Sequence, residues 1–422
     1  MGQFTSKACV EIQYPIPVSA GFGCIPSDLR GRFKDLSKDL LSDDVANTVI
    51  RVAQRGPPQP NKYPHDTTKD TFAYKYMNPG WWTSGFFPGS LWLLYERSLT
   101  APQTLSSDDI LELALQWQKG MEREQHNTGT HDLGFMMMPA FYSDYRLRGS
   151  ERSRDIVINS ARSMASRWSE TVQCIRSWDG MSSPRWDFSD KTKNFLVIID
   201  NMMNLDLLYR GSELTGDGEL ARRATHHART TLKHHIRPDG STYHLVNYDP
   251  KDGHVQGRYT VQGYADNSTW SRGQAWGLYG YATAYRFSHD PAFLKASKEL
   301  AKYFVKRVDE TAQGDDKGAV WWDFDAPRPP NTRDESAAMV ACAGMLELYE
   351  LTGDTQFLPA VAEILEYAVK SAKAPEGADT VLRGATVNNN PDNTHPNFET
   401  GLVYADYYFL QVGNKLMELG LA

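Results

Sequence analysis

The sequence predicts an all-α fold, a closed (α/α)6 barrel in which six helical hairpins form a toroid, and three observations predict it. Similar short strings open a series of apolar helices, a Gly-Asp turn recurs behind them, and the helices joined by such turns differ in kind. The openings are Thr83-Ser-Gly-Phe-Phe-Pro-Gly, Asp132-Leu-Gly-Phe-Met, Asp200-Asn-Met-Met-Asn, Arg272-Gly-Gln-Ala-Trp-Gly, Asp334-Glu-Ser-Ala-Ala and Glu399-Thr-Gly-Leu. They lie roughly 50 to 70 residues apart, somewhat longer than the common solenoid periods. The turn reads Glu213-Leu-Thr-Gly-Asp, Glu350-Leu-Thr-Gly-Asp and, in weaker form, Arg286-Phe-Ser-His-Asp. Gly suits a left-handed C-terminal cap, and Asp suits the N-cap of the next helix. Residues 337–351 are apolar nearly all round, as an inner helix should be, whereas residues 292–305 carry charge on one face, as an outer helix should. Closing the ring buries the inner faces and gathers the polar inner-helix starts at one end. The alternative is an open array whose polar residues merely cap helices. Six pairs, with a last repeat that is atypical but not polar, favour closure.

Ahead of the repeats, residues 1–10 lack the apolar core of about 7–15 residues that a secretory signal requires, so a cytoplasmic location is expected. Met-Gly-x-x-x-Ser fits the N-myristoylation pattern at Gly2, which would give only a weak lipid anchor. Residues 15–26 read as an irregular arm, 36–52 as a surface helix and 56–66 as a proline-rich connector. The expected division is an arm and first helix packed on the barrel over residues 1–70, then one domain over 71–422. At roughly 150 residues per domain, the 422 residues alone would suggest more domains, but the repeat overrules that arithmetic.

Composition excludes several classes. A net charge of -7 with Lys and Arg spread evenly argues against nucleic acid, which needs a basic stripe. The longest apolar runs fall far short of the ~20 residues of a membrane span. Cys9, Cys24, Cys174 and Cys342 lie far apart without zinc spacing and read as reduced thiols or packing residues. His226, His227, His234 and His235 resemble a metal cluster, but eight residues of helix span about 12 Å, too far for ligands ~2.1 Å from one zinc. With no HExxH, GxSxG or Walker-type loop, no metal, nucleotide or other cofactor is expected. Oligomeric state is left open. The 11 Trp, 21 Tyr and 17 Phe are the unusual feature, many beside Gly, Asp or His. Such pairings suit a sugar ring, although aromatics are also ordinary core material.

Asp200 stands between Phe195-Leu-Val-Ile-Ile and Asn201-Met-Met, where a carboxylate is poorly solvated. Desolvation raises its pKa, the property of a general acid near neutral pH. A plain N-cap is the competing reading. Asp132, after His131, invites the same two readings. Two carboxylates at convergent starts form the minimum pair for glycosyl chemistry. His131 and His244 are candidate donors to substrate hydroxyls or to these carboxylates. Arg272 at a helix start opposes the dipole, a cost that gripping an anionic group would offset. Trp82, Trp186, Trp270 and Trp276 are candidates for a stacking platform, each also a candidate core residue.

At these residues the sequence resembles the unsaturated glucuronyl hydrolases of glycoside hydrolase family 88. The strings are Trp82-Thr-Ser-Gly-Phe, His131-Asp-Leu-Gly-Phe-Met, Ile199-Asp-Asn-Met-Met-Asn and Gln262-Gly-Tyr-Ala-Asp-Asn-Ser-Thr-Trp-Ser-Arg-Gly-Gln-Ala-Trp-Gly. Asp334-Glu-Ser-Ala-Ala and Gly401-Leu-Val-Tyr-Ala-Asp-Tyr-Tyr agree in character. The resemblance implies a six-pair α/α barrel. It also implies a hydrolase acting on acidic, glycosaminoglycan-type oligosaccharides with a 4,5-unsaturated uronic acid at the non-reducing end. By resemblance, Asp200 is the general acid/base and Asp132 the second essential carboxylate. His131, His244, Gln262, Trp270, Arg272, Trp276 and Trp82 line the sugar site. Residues 386–398 lack the Ser and Lys with which some relatives bind sulfate. The alternatives are the sister unsaturated rhamnogalacturonyl hydrolases on pectin fragments, an ordinary inverting glycosidase using Asp132 and Asp200, and a non-catalytic carbohydrate-binding scaffold.

Overall fold

The computed structural model describes residues 25–58, 61–101, 104–312, 314–330 and 332–422. Gly2, Cys9, Cys24 and the expected arm before residue 25 lie outside the described residues. In chain order the helices are α1 (Ser27–Leu40), α2 (Asp43–Ala53), α3 (Phe86–Ser98), α4 (Ser107–Lys119), α5 (Leu133–Met137), α6 (Ser143–Arg148) and α7 (Glu151–Ala165). There follow α8 (Asn201–Thr215), α9 (Gly218–His235), α10 (Ser271–Ser288), α11 (Pro291–Thr311), α12 (Glu335–Thr352), α13 (Leu358–Ser371) and α14 (Val403–Glu418). A π-helical segment, Met138–Tyr142, joins α5 to α6. Pro139 has no N–H for the regular ladder, and the wider turn carries the helix past it.

The inner ring consists of α3, the α5–α6 run, α8, α10, α12 and α14, each packed on the next, with α14 closing against α3. The outer helices α4, α7, α9, α11 and α13 each pack on the inner helix before them, and α1 packs on α13 and α14. The ring is therefore closed, as predicted. The expected surface helix over 36–52 is instead two helices broken at Leu41–Ser42, whose apolar sides are buried: Phe33, Leu36 and Leu40 in α1, Val45, Val49 and Val52 in α2. The connector at 56–66 runs into a strand, β1 (Tyr63–Thr67), which pairs with β2 (Tyr74–Met77).

The recurring turns behave largely as their residues dictate, except that Asp354 does not cap α13, which starts only at Leu358 after Phe357; Asp354 accepts from Gln356 N instead. Gly216 and Gly353 end α8 and α12 with φ 73° and 68°, and His289 does the same for α10 with φ 53°. Asp217 and Asp290 then cap α9 and α11 by accepting from Glu219 N and Ala292 N at 3.0 Å. All of α12 from Glu335 to Tyr349 is buried. A two-stranded ribbon, β3 (Trp168–Ser169) with β4 (Cys174–Ile175), precedes the sheet that positions the site. That antiparallel sheet is β5 (Phe195–Ile198), β6 (Leu245–Tyr248) and β7 (Val255–Tyr259). Ile198 pairs with Leu245, and Ile199 N donates to His244 O at 2.9 Å. The pairing of β5 with β6 thus sets Asp200 and His244 side by side. Among the described residues no helix is long and apolar enough to cross a membrane.

Candidate active site

Asp200 ends the β5 extension and opens α8 without making a side-chain cap bond, so the plain N-cap reading fails. It is 9% exposed, and burial, opposed by the nearby Arg272 cation and reinforced by Asp132, pushes its carboxyl up to about 7. His244 Nδ1 accepts from Val261 N at 3.1 Å. Its proton is therefore on Nε2, 3.7 Å from Asp200 Oδ2. Burial holds the His244 pKa down to about 3, so the ring is neutral. His131 is fully buried, its Nε2 3.2 Å from Asp132 Oδ1, and burial also lowers its pKa. Asp132 accepts from Thr130 Oγ1 at 2.7 Å.

A glycine fixes the two carboxylates relative to each other. A Cβ on Gly134 would lie 2.6 Å from both Cα and Oδ1 of Asn204, and Asn204 Oδ1 accepts from Phe135 N at 2.9 Å. The starts of α5 and α8 touch backbone to backbone, and Asp132 and Asp200 sit on those starts.

Buried polar atoms are normally hydrogen-bonded, and each exception needs an explanation. Among the exceptions in this molecule, six lie on Asp200 and the residues about it: Asp200 Oδ2, His244 Nε2, both nitrogens of His131, and the indole N–H groups of Trp270 and Trp276. A polyhydroxylated ligand satisfies such a set. A cavity of about 570 Å3 lies elsewhere, at the opposite end of the ring between charged pairs such as Arg286–Glu347. Its Asp206 is also pushed by burial to about 7. A raised carboxyl alone therefore does not identify the site; the convergence of unpaired donors on Asp200 does.

No family model matches the chain. It is 37% identical over 343 residues to an unsaturated glucuronyl hydrolase of Formosa agariphila, covering 80% of each chain. The chain belongs to the unsaturated glucuronyl hydrolases. It is a glycoside hydrolase. A solved unsaturated glucuronyl hydrolase specific for heparin superimposes with a TM-score of 0.79 at 32% identity, over 91% of this chain and 97% of that one. An unsaturated chondroitin disaccharide hydrolase of Streptococcus pyogenes is 29% identical over 360 residues, covering 83% of this chain and 84% of its own.

In this family member, Arg272 departs from its expected use. It is 1% exposed and ion-paired with Asp334, and it also donates to the carbonyls of Thr386 and Val387 (2.7 Å to the latter). Its fork is therefore engaged, and the bidentate grip on a sugar carboxylate is not free. What it offers the site is a field and a clasp on residues 386–387. The tryptophans also divide. Trp276 is fully buried against Phe135 and Tyr408, and Trp270, 2% exposed, lies between His244 and the Arg272 guanidinium. Trp82 and Trp186 keep part of their surface exposed, so the four form no single open platform. Trp82 packs on Tyr404 at 4.8 Å, and Trp186 on Phe188 and Tyr259. Gln262 is half-buried and donates to Val387 O at 3.1 Å.

Sequence reasoning missed three neighbours. Asp334 and Tyr404 stand inside the Asp334 and Gly401 strings without a site role of their own, and His65 sits in the proline-rich connector. His65 packs edge-on to Trp81 and Trp82, and burial lowers its pKa to about 4. The Asp334 and Gly401 strings carry a local signal for the first two, and nothing local marks His65. For metals, Asp249, Asp252 and His254 bring ligand atoms within 4.8 Å of one another on a turn outside this site. The histidine series on α9 is divided, with His227 accepting from Ile175 N and His235 bonded to Val197 O.

Proposed function

We propose that this chain removes a 4,5-unsaturated uronic acid from the non-reducing end of glycosaminoglycan-type oligosaccharides released by polysaccharide lyases. The reaction is hydration of the C4=C5 enol ether. Asp200 protonates C4, which leaves oxocarbenium character at C5. As a carboxylate it then takes a proton from the water that attacks C5. The resulting hemiketal opens to a C5 ketone, and the anomeric carbon, never attacked, releases the leaving sugar. The observation that carries this reading is a carboxyl held near 7 by burial, ringed by unpaired donors. Such a group is present in both protonation states at neutral pH, as a single residue that first gives and then accepts a proton must be.

The other residues take supporting parts. Asp132 and His131 orient the sugar hydroxyls, and the Asp132 charge raises the Asp200 pKa. His244 Nε2–H, Gln262 and the indole N–H groups of Trp270 and Trp276 donate to the sugar, while Trp82 and Trp186 present faces to it. Arg272 balances the uronate charge through space. The rhamnogalacturonyl alternative is not favoured, since the relatives are named glucuronyl and chondroitin disaccharide hydrolases. Incubation with a lyase-generated disaccharide tests the reading. Hydration abolishes the ultraviolet absorbance of the conjugated double bond as the leaving sugar appears. Release of that sugar with the absorbance intact would indicate ordinary glycoside hydrolysis.

A further inference from the structure

Beside the Asp200 site lies a second cleft, of about 230 Å3, lined among others by Tyr264, Trp321, Asp323, Arg328, Asn389 and Pro391. That is below the range of about 300–1,000 Å3 typical of whole-ligand pockets, and suits one unit of a longer ligand. Most of its lining comes from residues 321–332, and Tyr264, Asn389 and Pro391 join it to the segments that carry Gln262 and Val387. Gln262 and Tyr264 are two residues apart, as are Val387 and Asn389, and two extended residues span at most about 7 Å. Asn390 Nδ2 donates to Gly263 O at 2.6 Å and Trp322 Nε1 donates to Gln262 O at 2.9 Å, so cleft and site share one frame.

Two lining residues, Trp321 and Arg328, carry donors that no described residue engages. Trp321 is 3% exposed, and its indole N–H has no partner. The exposed Arg328 guanidinium lies over the Trp321 ring at 4.9 Å and makes no hydrogen bond or salt bridge with a described residue. The one carboxylate in the lining, Asp323, is already engaged: it accepts from Tyr264 N, Ser268 Oγ and Asp325 N. An exposed guanidinium stacked on an aromatic face, with no hydrogen bond to a described residue and an indole N–H beside it, has the chemistry to take a carboxylate or sulfate carried on a sugar ring.

We infer that the Trp321–Arg328 cleft is a subsite for an acidic sugar downstream of the unsaturated residue in the same oligosaccharide. The inference rests on the proposed function and deepens it: the preferred substrate is longer than a disaccharide. Arg328 binds and does not take part in the chemistry.

The test compares KM and kcat for the unsaturated disaccharide and tetrasaccharide from the lyase digest that the wild-type chain converts fastest. Wild type should show a KM for the tetrasaccharide about two- to fivefold lower, the scale of one exposed ion pair. Arg328→Gln should raise the tetrasaccharide KM to the disaccharide value, leaving kcat and both disaccharide constants unchanged. Trp321→Phe, which keeps the ring and removes the N–H, should lose part of the preference. Equal wild-type KM values for the two lengths would overturn the inference, as would Arg328→Gln raising both KM values alike. Failure of wild type to hydrate even the disaccharide would instead strike the proposed function.

Discussion

Replacing Asp200 by Asn removes a proton donor and acceptor while keeping the side chain's shape. At pH 7 a carboxyl at the ordinary 3.8 is protonated in about one molecule in 1,600, whereas one at about 7 is protonated in about half. Burial therefore enlarges the active donor population several hundredfold, and the amide has none. Because the same group serves both proton transfers, kcat should fall by about three to four orders of magnitude. Stability should move the other way. With the folded pKa above the unfolded one, the native state binds more protons between about pH 4 and 7, so the ionised carboxylate costs stability as pH rises through that window. The cost is complete above about pH 7, with a ceiling of about 4 kcal/mol. Asp200→Asn should thus raise Tm at pH 8 and do little at pH 4. Loss of ultraviolet absorbance reports the rate, and thermal denaturation at the two pH values reports the stability. A variant retaining a tenth of the wild-type rate, or one whose Tm falls steeply at pH 8, would refute the reasoning.

Wild-type kcat should fall on the alkaline side as Asp200 loses its proton. Asp132→Asn removes a charge that raises the Asp200 pKa, so in its residual activity, measured as a pH–rate profile, that alkaline limb should move to lower pH. Gly134→Ala forces a methyl into the Asn204 backbone; it should reduce kcat well beyond tenfold, by separating the two carboxylates, and lower Tm in denaturation scans. Asp334→Ala leaves the Arg272 cation buried and unpaired; it should cost about 3–5 kcal/mol, read from denaturant midpoints, and loosen residues 386–387 as seen by amide exchange.

Much of this architecture is legible in the chain because its punctuation is local. Gly216, Gly353 and the aspartates after them act within one turn of their own positions, so the hairpins can be read without a partner. All six inner-helix openings fall within a few residues of the observed starts, the widest gap being at Glu399-Thr-Gly-Leu. There α14 begins only at Val403, because Thr400 pairs with Ala385 and Leu402 with Asp66. The role of α1 beside α13 and α14 was hidden for the same reason, its partners lying more than 300 residues away in sequence. At the site, Asp200 announced itself by its apolar flanks. Arg272 misled, since its helix-start position suggested an anion but not which one: the anion is Asp334, 62 residues on and buried with it. Whether a tryptophan shows a face or a back to the site is set by neighbours such as Phe135 and Tyr408, and no local string records them.

The central claim is that water enters at C5 after Asp200 protonates C4. The most direct measurement is a single turnover in heavy-oxygen water, trapped by borohydride reduction before carbonyl exchange, with the label located by mass spectrometry. The account predicts label at C5 of the released uronic acid and none at its former anomeric carbon. Label at the anomeric carbon with C5 unlabelled would contradict it.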